Sequence, residues 1–127
     1  MPKKILVVDD DPNARELVRL MLSKYDCEVF EAADGREGFE VAAKEKPHLI
    51  IADHLMPQFT GYELLRKVRQ DKDMKTMRFI MITSKHFDSD FPELLRLDGC
   101  DFISKPFHVA ALLGAIEKLI GPLPFRV

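Results

Sequence analysis

Short apolar runs alternate five times with longer segments in which apolar residues recur at helical spacing. Two of the runs, Ile50-Ile51 and Phe79–Ile82, are continuous. Continuous runs are typical of strands that are buried on both faces of a parallel sheet. We therefore predict five strands, at Lys4–Val8, Glu28–Ala32, His48–Ala52, Phe79–Ile82 and Asp101–Ser104.

The segments between the runs have the pattern of amphipathic helices. The first places apolar residues at i, i+3, i+4, i+7 and i+8, which forms one stripe on a helix surface. Asp11-Pro12 and Thr60–Glu63 have the composition of helix starts, the second with the spacing of a capping box. A fourth helix is predicted to have Pro92 in its first turn, after a loop over Ser84–Asp90. The other four are predicted to follow Asp11, to span about Gly35–Lys44, to begin near Gly61, and to span Val109–Ile120.

Five strand–helix units in strict alternation predict an α/β protein with a five-stranded parallel sheet covered by helices on both faces. Such a flavodoxin-like, doubly wound (βα)5 fold most often has the strand order 2-1-3-4-5. Its ligand site then lies at the carboxyl ends of the strands, at the switch between strands 1 and 3. We assign residues 1–121 to this domain and residues 122–127 to a C-terminal tail or linker stub.

Length and composition narrow the class of protein. The chain has 127 residues, 46% of them hydrophobic, which suits one domain of ordinary size. Its net charge of −2 gives no electrostatic reason to expect direct binding to nucleic acid. The first apolar run, Ile5–Val8, is too short for a signal peptide or a membrane span. We therefore expect a cytoplasmic protein that does not contact a membrane. Cys27 and Cys100 are expected to be free thiols.

Polar side chains that could take part in a reaction or bind a metal follow the predicted strands. Asp9 and Asp10 come directly after strand 1, and Asp53 follows strand 3. In a parallel sheet these positions share one edge, so three carboxylates would crowd together. Like charges this close raise one another's pKa and oppose folding unless a cation is present. Mg²⁺ is the natural partner, since it binds carboxylate oxygens and keeps several waters.

The strands on the other side of this edge supply a hydroxyl and a cation. Thr83 follows strand 4, and Lys105 follows strand 5. Together with Mg²⁺, these two groups could neutralise and orient a phosphoryl group. Asp53 would then act as a carboxylate nucleophile that forms an acyl phosphate. The residues alone therefore point to phosphoryl transfer onto the protein.

Four segments resemble the signature segments of one signalling family. ILVVDDDP, DHLMPQFTG, IMITS and FISKPF are similar to those of response-regulator receiver domains of two-component systems, in the same order and at consistent spacing. The resemblance covers Lys3 to about Ile120, and the sequence looks like that of a chemotaxis regulator. It implies that Asp53 accepts the phosphoryl group. It also implies a Mg²⁺ site in which Asp10 binds the ion directly, Asp9 acts largely through water, and the backbone carbonyl of Leu55 is a further ligand.

The resemblance further implies a conformational switch and a set of partners. Thr83 matches the hydroxyl residue that moves toward the phosphate, Phe102 the aromatic switch residue, and Lys105 the family's lysine. Pro106 is expected to follow a cis peptide bond. The phosphodonor would be a histidine kinase or phosphotransfer protein. The output would go to a downstream protein or linked effector domain through the fourth helix, the fifth strand and the last helix, a surface that also allows homodimerisation. His108 departs from the family, which commonly has a small capping residue there.

Two other functions compete with this one. A pseudo-receiver would bind partners without phosphorylation, but all the implied site residues are retained here. A Mg²⁺-dependent nucleic-acid enzyme of the toprim type is suggested by the run Asp9–Asp11, but it leaves Thr83 and Lys105 unexplained. The expected protein is thus not an enzyme acting on other molecules, since it catalyses only its own phosphorylation and dephosphorylation.

Overall fold

The structure is a computed structural model that describes residues 2–57, 59–83 and 99–127. The fourth predicted helix and the loop before it lie outside these residues. The described strands are β1 (Lys3–Val8), β2 (Cys27–Ala32), β3 (Leu49–Asp53), β4 (Arg78–Thr83) and β5 (Cys100–Ser104). The described helices are α1 (Pro12–Leu22), α2 (Gly35–Glu45), α3 (Gly61–Gln70) and α4 (Val109–Ile120).

All five strands are parallel and form one sheet of order β2-β1-β3-β4-β5. This confirms the predicted flavodoxin-like fold and strand order. The register brings the carboxyl ends of the inner strands together: Val8 of β1 pairs with Ala52 of β3, and Asp53 pairs with Ile82 of β4. The residues that directly follow β1 therefore lie close to the residues that end β3 and β4, at the carboxyl edge of the sheet.

The central strands are buried on both faces, which explains their continuous apolar runs. Ile5 and Ile51 belong to a core cluster completed by α1 and α4, while Leu6 and Ile50 belong to a second cluster completed by α2 and α3. All four side chains are fully buried. The strands of the sheet are thus held from both sides, and its carboxyl edge has a rigid support.

Helix starts follow the predicted capping chemistry with one exception. The carboxylates of Asp11 and Asp34 accept backbone N–H groups at the starts of α1 and α2. Thr60 and Glu63 form a complete capping box at α3. His108 precedes α4 without a side-chain cap, as its departure from the family pattern suggested. No helix in the described ranges is long and apolar enough to cross a membrane.

The C-terminal segment packs against the corner between α1 and β2. The rings of Tyr25 and Phe125 stack with their centroids 5.1 Å apart, and Leu123 is buried in the first core cluster. The Asp26 N–H donates to the Pro124 carbonyl oxygen at 2.7 Å. The Arg126 guanidinium donates to the carbonyl oxygens of Ser23, Tyr25 and Cys27. Residues 123–126 are therefore held against the domain, whereas Val127 is exposed.

Replacing Leu123 with alanine is expected to lower the free energy of unfolding by about 2 kcal/mol, the low end for a buried leucine because Leu123 lies at the rim of the core. Chemical denaturation measures the effect. Val127→Ala is the matched control, since Val127 is exposed and its loss should change stability by less than about 0.5 kcal/mol. Equal stability of Leu123→Ala and the unsubstituted protein would contradict the docked position of this segment.

Both cysteines are free thiols, as predicted. Cys27 begins β2 and Cys100 begins β5. These strands form the two opposite edges of the sheet. Three strands separate the two thiols, which is too far for a disulfide bond.

Candidate functional site

Three carboxylates meet at the carboxyl edge of the sheet. Asp9 and Asp10 follow β1, and Asp53 ends β3. One oxygen from each lies within 4.8 Å of the others. Asp9 and Asp53 are only 5% and 6% exposed, whereas Asp10 is exposed. The structure thus brings together the three acids that the sequence pointed to.

The backbone and a neighbouring helix fix Asp9 in place. The Asp11 N–H donates to Asp9 Oδ1 at 2.9 Å. Arg15 on α1 donates from Nη1 to the Asp9 carbonyl oxygen at 2.6 Å and from Nε to Glu31 at 3.2 Å. This arginine therefore links α1, the acidic edge and the end of β2. Its contribution was not predicted, because it follows from how α1 lies on the sheet.

Lys105 and Thr83 lie next to the carboxylates. The Lys105 Nζ is 3.5 Å from Asp53 Oδ1, and its backbone N–H donates to the Thr83 carbonyl oxygen at 2.6 Å. Thr83 ends β4 and is 5% exposed. The peptide bond between Lys105 and Pro106 is cis, as the resemblance implied. One cation and one hydroxyl residue thus border the buried carboxylate.

The loop from β3 to α3 borders the site on its outer side. The Leu55 side chain is 59% exposed, while that of Met56 is buried in the core. The Gly61 N–H closes the loop by donating to the His54 carbonyl oxygen at 3.1 Å. A Cβ on Gly61 would lie 2.6 Å from the Asp53 carbonyl oxygen. Only glycine therefore lets α3 begin this close to the acid.

The environment disfavours the charged form of both buried acids. Burial raises the pKa of Asp53, with a smaller upward contribution from Asp10; the charge and hydrogen bond of Lys105 and the Leu55 backbone oppose the rise. Burial likewise raises the pKa of Asp9, and Asp53 adds to it, while the hydrogen bond from Asp11 lowers it. The native fold is thus less favourable for carboxylates at this edge than water is.

The donor set fits a hard divalent cation. Asp53 Oδ1 is buried with Lys105 Nζ at 3.5 Å beside it, and it lies next to two further carboxylates. Mg²⁺ takes oxygen ligands and retains water, and the exposure of Asp10 leaves solvent access for those waters. Bound there, the ion would offset the repulsion among the three acids.

Phe102 lies on β5, opposite Met81 of β4. Its side chain is partly buried and packs against the second core cluster. It is therefore one strand away from the β4 end that carries Thr83. The coupling between Thr83 and Phe102 stays a prediction, and Phe102 is not part of the acidic cluster.

Comparison with known proteins agrees with this fold and identifies the family. The family described as "Response regulator receiver domain" matches residues 5–117. The alkaline phosphatase synthesis transcriptional regulatory protein PhoP of Bacillus subtilis (strain 168) is 38% identical over 122 residues, which cover 94% of this chain. The chain spans only 49% of the length of that relative.

Two solved structures have the same architecture. The chemotaxis protein CheY4 of Vibrio cholerae superimposes with a TM-score of 0.86 at 31% identity, covering 94% of this chain and 100% of that one. The receiver domain of the sensor histidine kinase PA1611 from Pseudomonas aeruginosa PAO1, solved with a magnesium ion in its active-site cleft, gives a TM-score of 0.83 at 26% identity, covering 95% and 99%. Since the family match spans most of the sequence and the fold agrees, this chain belongs to the response-regulator receiver domain family.

Proposed function

We propose that this protein is a phosphorylation switch that accepts a phosphoryl group on Asp53 in a Mg²⁺-dependent reaction. The observation that carries the proposal is the cluster of Asp9, Asp10 and Asp53 with carboxylate oxygens within 4.8 Å of one another. Lys105 lies 3.5 Å from the proposed nucleophile. The magnesium ion in the active-site cleft of the PA1611 receiver domain supports the same cation here.

Each residue has a distinct role in the proposed reaction. An Asp53 carboxylate oxygen forms a bond to phosphorus while the bond from phosphorus to the donor's leaving group breaks, and the leaving group keeps that electron pair. Lys105 and the Thr83 hydroxyl stabilise the negative charge on the phosphoryl oxygens. Asp9, Asp10, Asp53 and the Leu55 carbonyl would hold Mg²⁺, which supplies further positive charge to those oxygens. The protein is proposed to catalyse only its own phosphorylation and dephosphorylation.

An apolar cleft beside the site supports a protein as phosphodonor. The cleft has a volume of about 490 Å³ and is lined by Asp9 and Lys105 together with apolar residues of α1 and Phe107. Leu17 and Leu20 of α1 and Val109 of α4 are exposed on the adjoining surface. An exposed apolar patch rimmed by charge is typical of a protein interaction site. We propose a histidine kinase or phosphotransfer protein as the donor that docks there.

Intact-mass spectrometry after incubation with acetyl phosphate tests the proposal. We expect the mass of one added phosphoryl group in the presence of Mg²⁺ and none after the ion is removed with EDTA. Treatment with hydroxylamine should remove the adduct, because an acyl phosphate is cleaved by this nucleophile. A pseudo-receiver would gain no adduct with either acetyl phosphate or a kinase, and that result would overturn the proposal.

The proposed output depends on Thr83 and Phe102. A phosphoryl group on Asp53 adds charge and acceptor oxygens, which would draw the Thr83 hydroxyl inward and let the Phe102 ring follow. Beryllofluoride with Mg²⁺, a phosphoryl mimic, is expected to shift the amide resonances around Phe102, and Thr83→Ala should remove that distant shift while leaving the shift at Asp53. Shifts confined to the acidic cluster in the unsubstituted protein would contradict this coupling.

The output surface is proposed to include β5, α4 (Val109–Ile120) and the fourth helix predicted from the sequence. That predicted helix precedes β5 in the chain and lies outside the described residues. The partner of this surface would be a downstream protein, a linked effector domain or a second copy of this chain. The chain spans about half of the Bacillus relative, which is named a transcriptional regulatory protein, so a linked output domain is one of these proposals. A toprim-type enzyme is less well supported, because Lys105 and Thr83 have no role in it.

A further inference from the structure

The outer part of the loop from β3 to α3 is anchored by one aromatic ring. The Phe59 ring packs against Gly35, the first residue of α2, so closely that a Cβ built on Gly35 would overlap it, lying 2.9 Å from the ring's Cγ and Cε1 atoms. Gly35 is buried. Lys67 of α3 covers the same ring, with its Nζ 6.0 Å from the centroid. Two helices therefore hold Phe59 in place.

The backbone itself does not require glycine at position 35. The glycines with positive φ among the described residues are Gly99 and Gly121, so Gly35 has a conformation open to alanine. Alanine is also the better helix former, by about 1 kcal/mol within a helix. The obstacle to a side chain at this position is thus the Phe59 ring.

The position of this ring bears on the metal site. Phe59 follows Leu55 by four residues; the side chains of Leu55 and Pro57 are exposed, whereas that of Met56 between them is buried in the second core cluster. Met56 therefore anchors the start of this loop, and Phe59 anchors its far end. Phe59 and Asp10 line the same cleft, which has a volume of about 570 Å³. A displaced ring would therefore move the loop next to the acid that is proposed to bind Mg²⁺ directly.

We propose that the contact between Phe59 and Gly35 is a positioning contact for the metal site. It holds the backbone at Leu55 in place relative to the carboxylates of Asp10 and Asp53. Phe59 acts through the loop and does not touch the ion. The inference rests on the proposed function, because it assumes that Mg²⁺ binds at this cluster with the Leu55 carbonyl oxygen as a ligand.

Titration of Mg²⁺ into ¹⁵N-labelled protein tests this contact, with Kd taken from the amide resonance of Asp10. Gly35→Ala and Phe59→Ala are each expected to weaken Mg²⁺ binding about tenfold, the usual size of an effect on groups that orient metal ligands. The double variant should bind no more weakly than Phe59→Ala alone, because the added Cβ then meets no ring. Two groups that act through one contact give such non-additive effects.

Two glycine-to-alanine controls separate positioning from general destabilisation. Gly38→Ala lies on the same helix, but its Cβ would meet the Val8 side chain at 2.9 Å and not the ring. Gly114→Ala lies on α4, where nothing is within 4 Å. We expect Gly114→Ala to bind Mg²⁺ like the unsubstituted protein, while Gly38→Ala measures how far a clash on α2 acts on the site through Val8, the residue before Asp9. Thermal unfolding in EDTA shows whether each variant is folded before titration. If Gly35→Ala does not fold, the Kd of Phe59→Ala alone tests the positioning role.

The Mg²⁺ titration distinguishes a wrong positioning role for Phe59 from a wrong proposed function. An unchanged Kd in Phe59→Ala, or additive losses in the double variant, would overturn the positioning role while leaving the Mg²⁺ site intact. An equal loss in Gly114→Ala would also overturn it, since the Cβ added there meets nothing within 4 Å. Failure of the unsubstituted protein to bind Mg²⁺ would overturn the proposed function, and the inference with it.

Discussion

Replacing Asp53 with asparagine is expected to abolish the phosphoryl adduct formed from acetyl phosphate and Mg²⁺. The amide has the shape of the carboxylate but lacks the anionic oxygen that attacks phosphorus. Asp53 is also the acid that pairs with Lys105, at 3.5 Å. Among the described ion pairs, Lys105 pairs with no other carboxylate of the cluster. Intact-mass spectrometry at several times of incubation measures the loss.

Asp11→Asn is the matched control for this variant. Asp11 belongs to the same acidic run, but it is exposed and its carboxylate caps α1 by accepting the Asn13 N–H at 2.9 Å. Asparagine is an equally good N-cap residue. We expect full labelling of Asp11→Asn at an unchanged rate. Labelling of Asp53→Asn to the same extent as the control would sink the assignment of the acceptor.

The second large effect concerns stability and its dependence on pH. Burial raises the native-state pKa of Asp53 above the ordinary aspartate pKa of 3.8, so the charged carboxylate destabilises the native state at neutral pH. Without metal, Asp53→Asn should therefore unfold at a higher temperature than the unsubstituted protein. The shift should be roughly 3–5 °C for each kcal/mol of unfavourable charge that is removed.

This advantage of Asp53→Asn should shrink as the pH falls. The native state takes up a proton at Asp53 first, because its pKa is raised there, and the penalty disappears below the unfolded-state value near 3.8. Asp9, Asp10 and Lys105 face the same carboxylate, and Asp53 raises the pKa of Asp9, so the difference between the two proteins reports Asp53 together with its coupling to these neighbours. A constant difference across this pH range would contradict the raised pKa.

Magnesium should reverse the order of stability. At an ion concentration of about 100 times Kd, binding to the native state adds about 2.7 kcal/mol to the free energy of unfolding. The unsubstituted protein should gain this stabilisation, whereas Asp53→Asn should gain much less because one anionic ligand is missing. Differential scanning calorimetry with Mg²⁺ and with EDTA measures both proteins. Equal stabilisation of the two would show that the ion binds elsewhere.

The fold could be predicted from local patterns because its central strands are buried on both faces. Ile50-Ile51 and Phe79–Ile82 have no polar face, and the structure places them in β3 and β4 between two layers of helices. Some observed strand limits differ from the predicted ones by one residue. For example, β3 begins at Leu49 and includes Asp53. Strand limits depend on hydrogen bonds to neighbouring strands, which a single segment does not reveal.

The acidic cluster could be predicted because the topology fixes which residues meet. Residues after parallel strands share one edge, so Asp10 and Asp53 were expected together although they are far apart in the sequence. The distances within the cluster, the burial of Asp9 and Asp53 and the direction of their pKa shifts needed the structure. Those quantities depend on how deeply the edge lies below α1 and the loops around it.

Contacts that depend on packing between distant elements could not be predicted. Arg15 is one polar residue among several on α1, and nothing local shows that it reaches the Asp9 carbonyl oxygen. The last helix ends at Ile120, as predicted, but the burial of Leu123 arises from a contact with the corner after α1. Gly35 likewise gave no sign of the Phe59 ring.

Locating the phosphoryl group on the chain tests the central claim most directly. Reduction of the phosphorylated protein with borohydride converts an aspartyl phosphate to homoserine, and peptide mass spectrometry then identifies the modified position. The account predicts homoserine at position 53 in protein treated with acetyl phosphate and Mg²⁺, and unmodified aspartate there when EDTA is present. Homoserine at position 9 or 10, or a phosphoryl group on a residue other than aspartate, would contradict it.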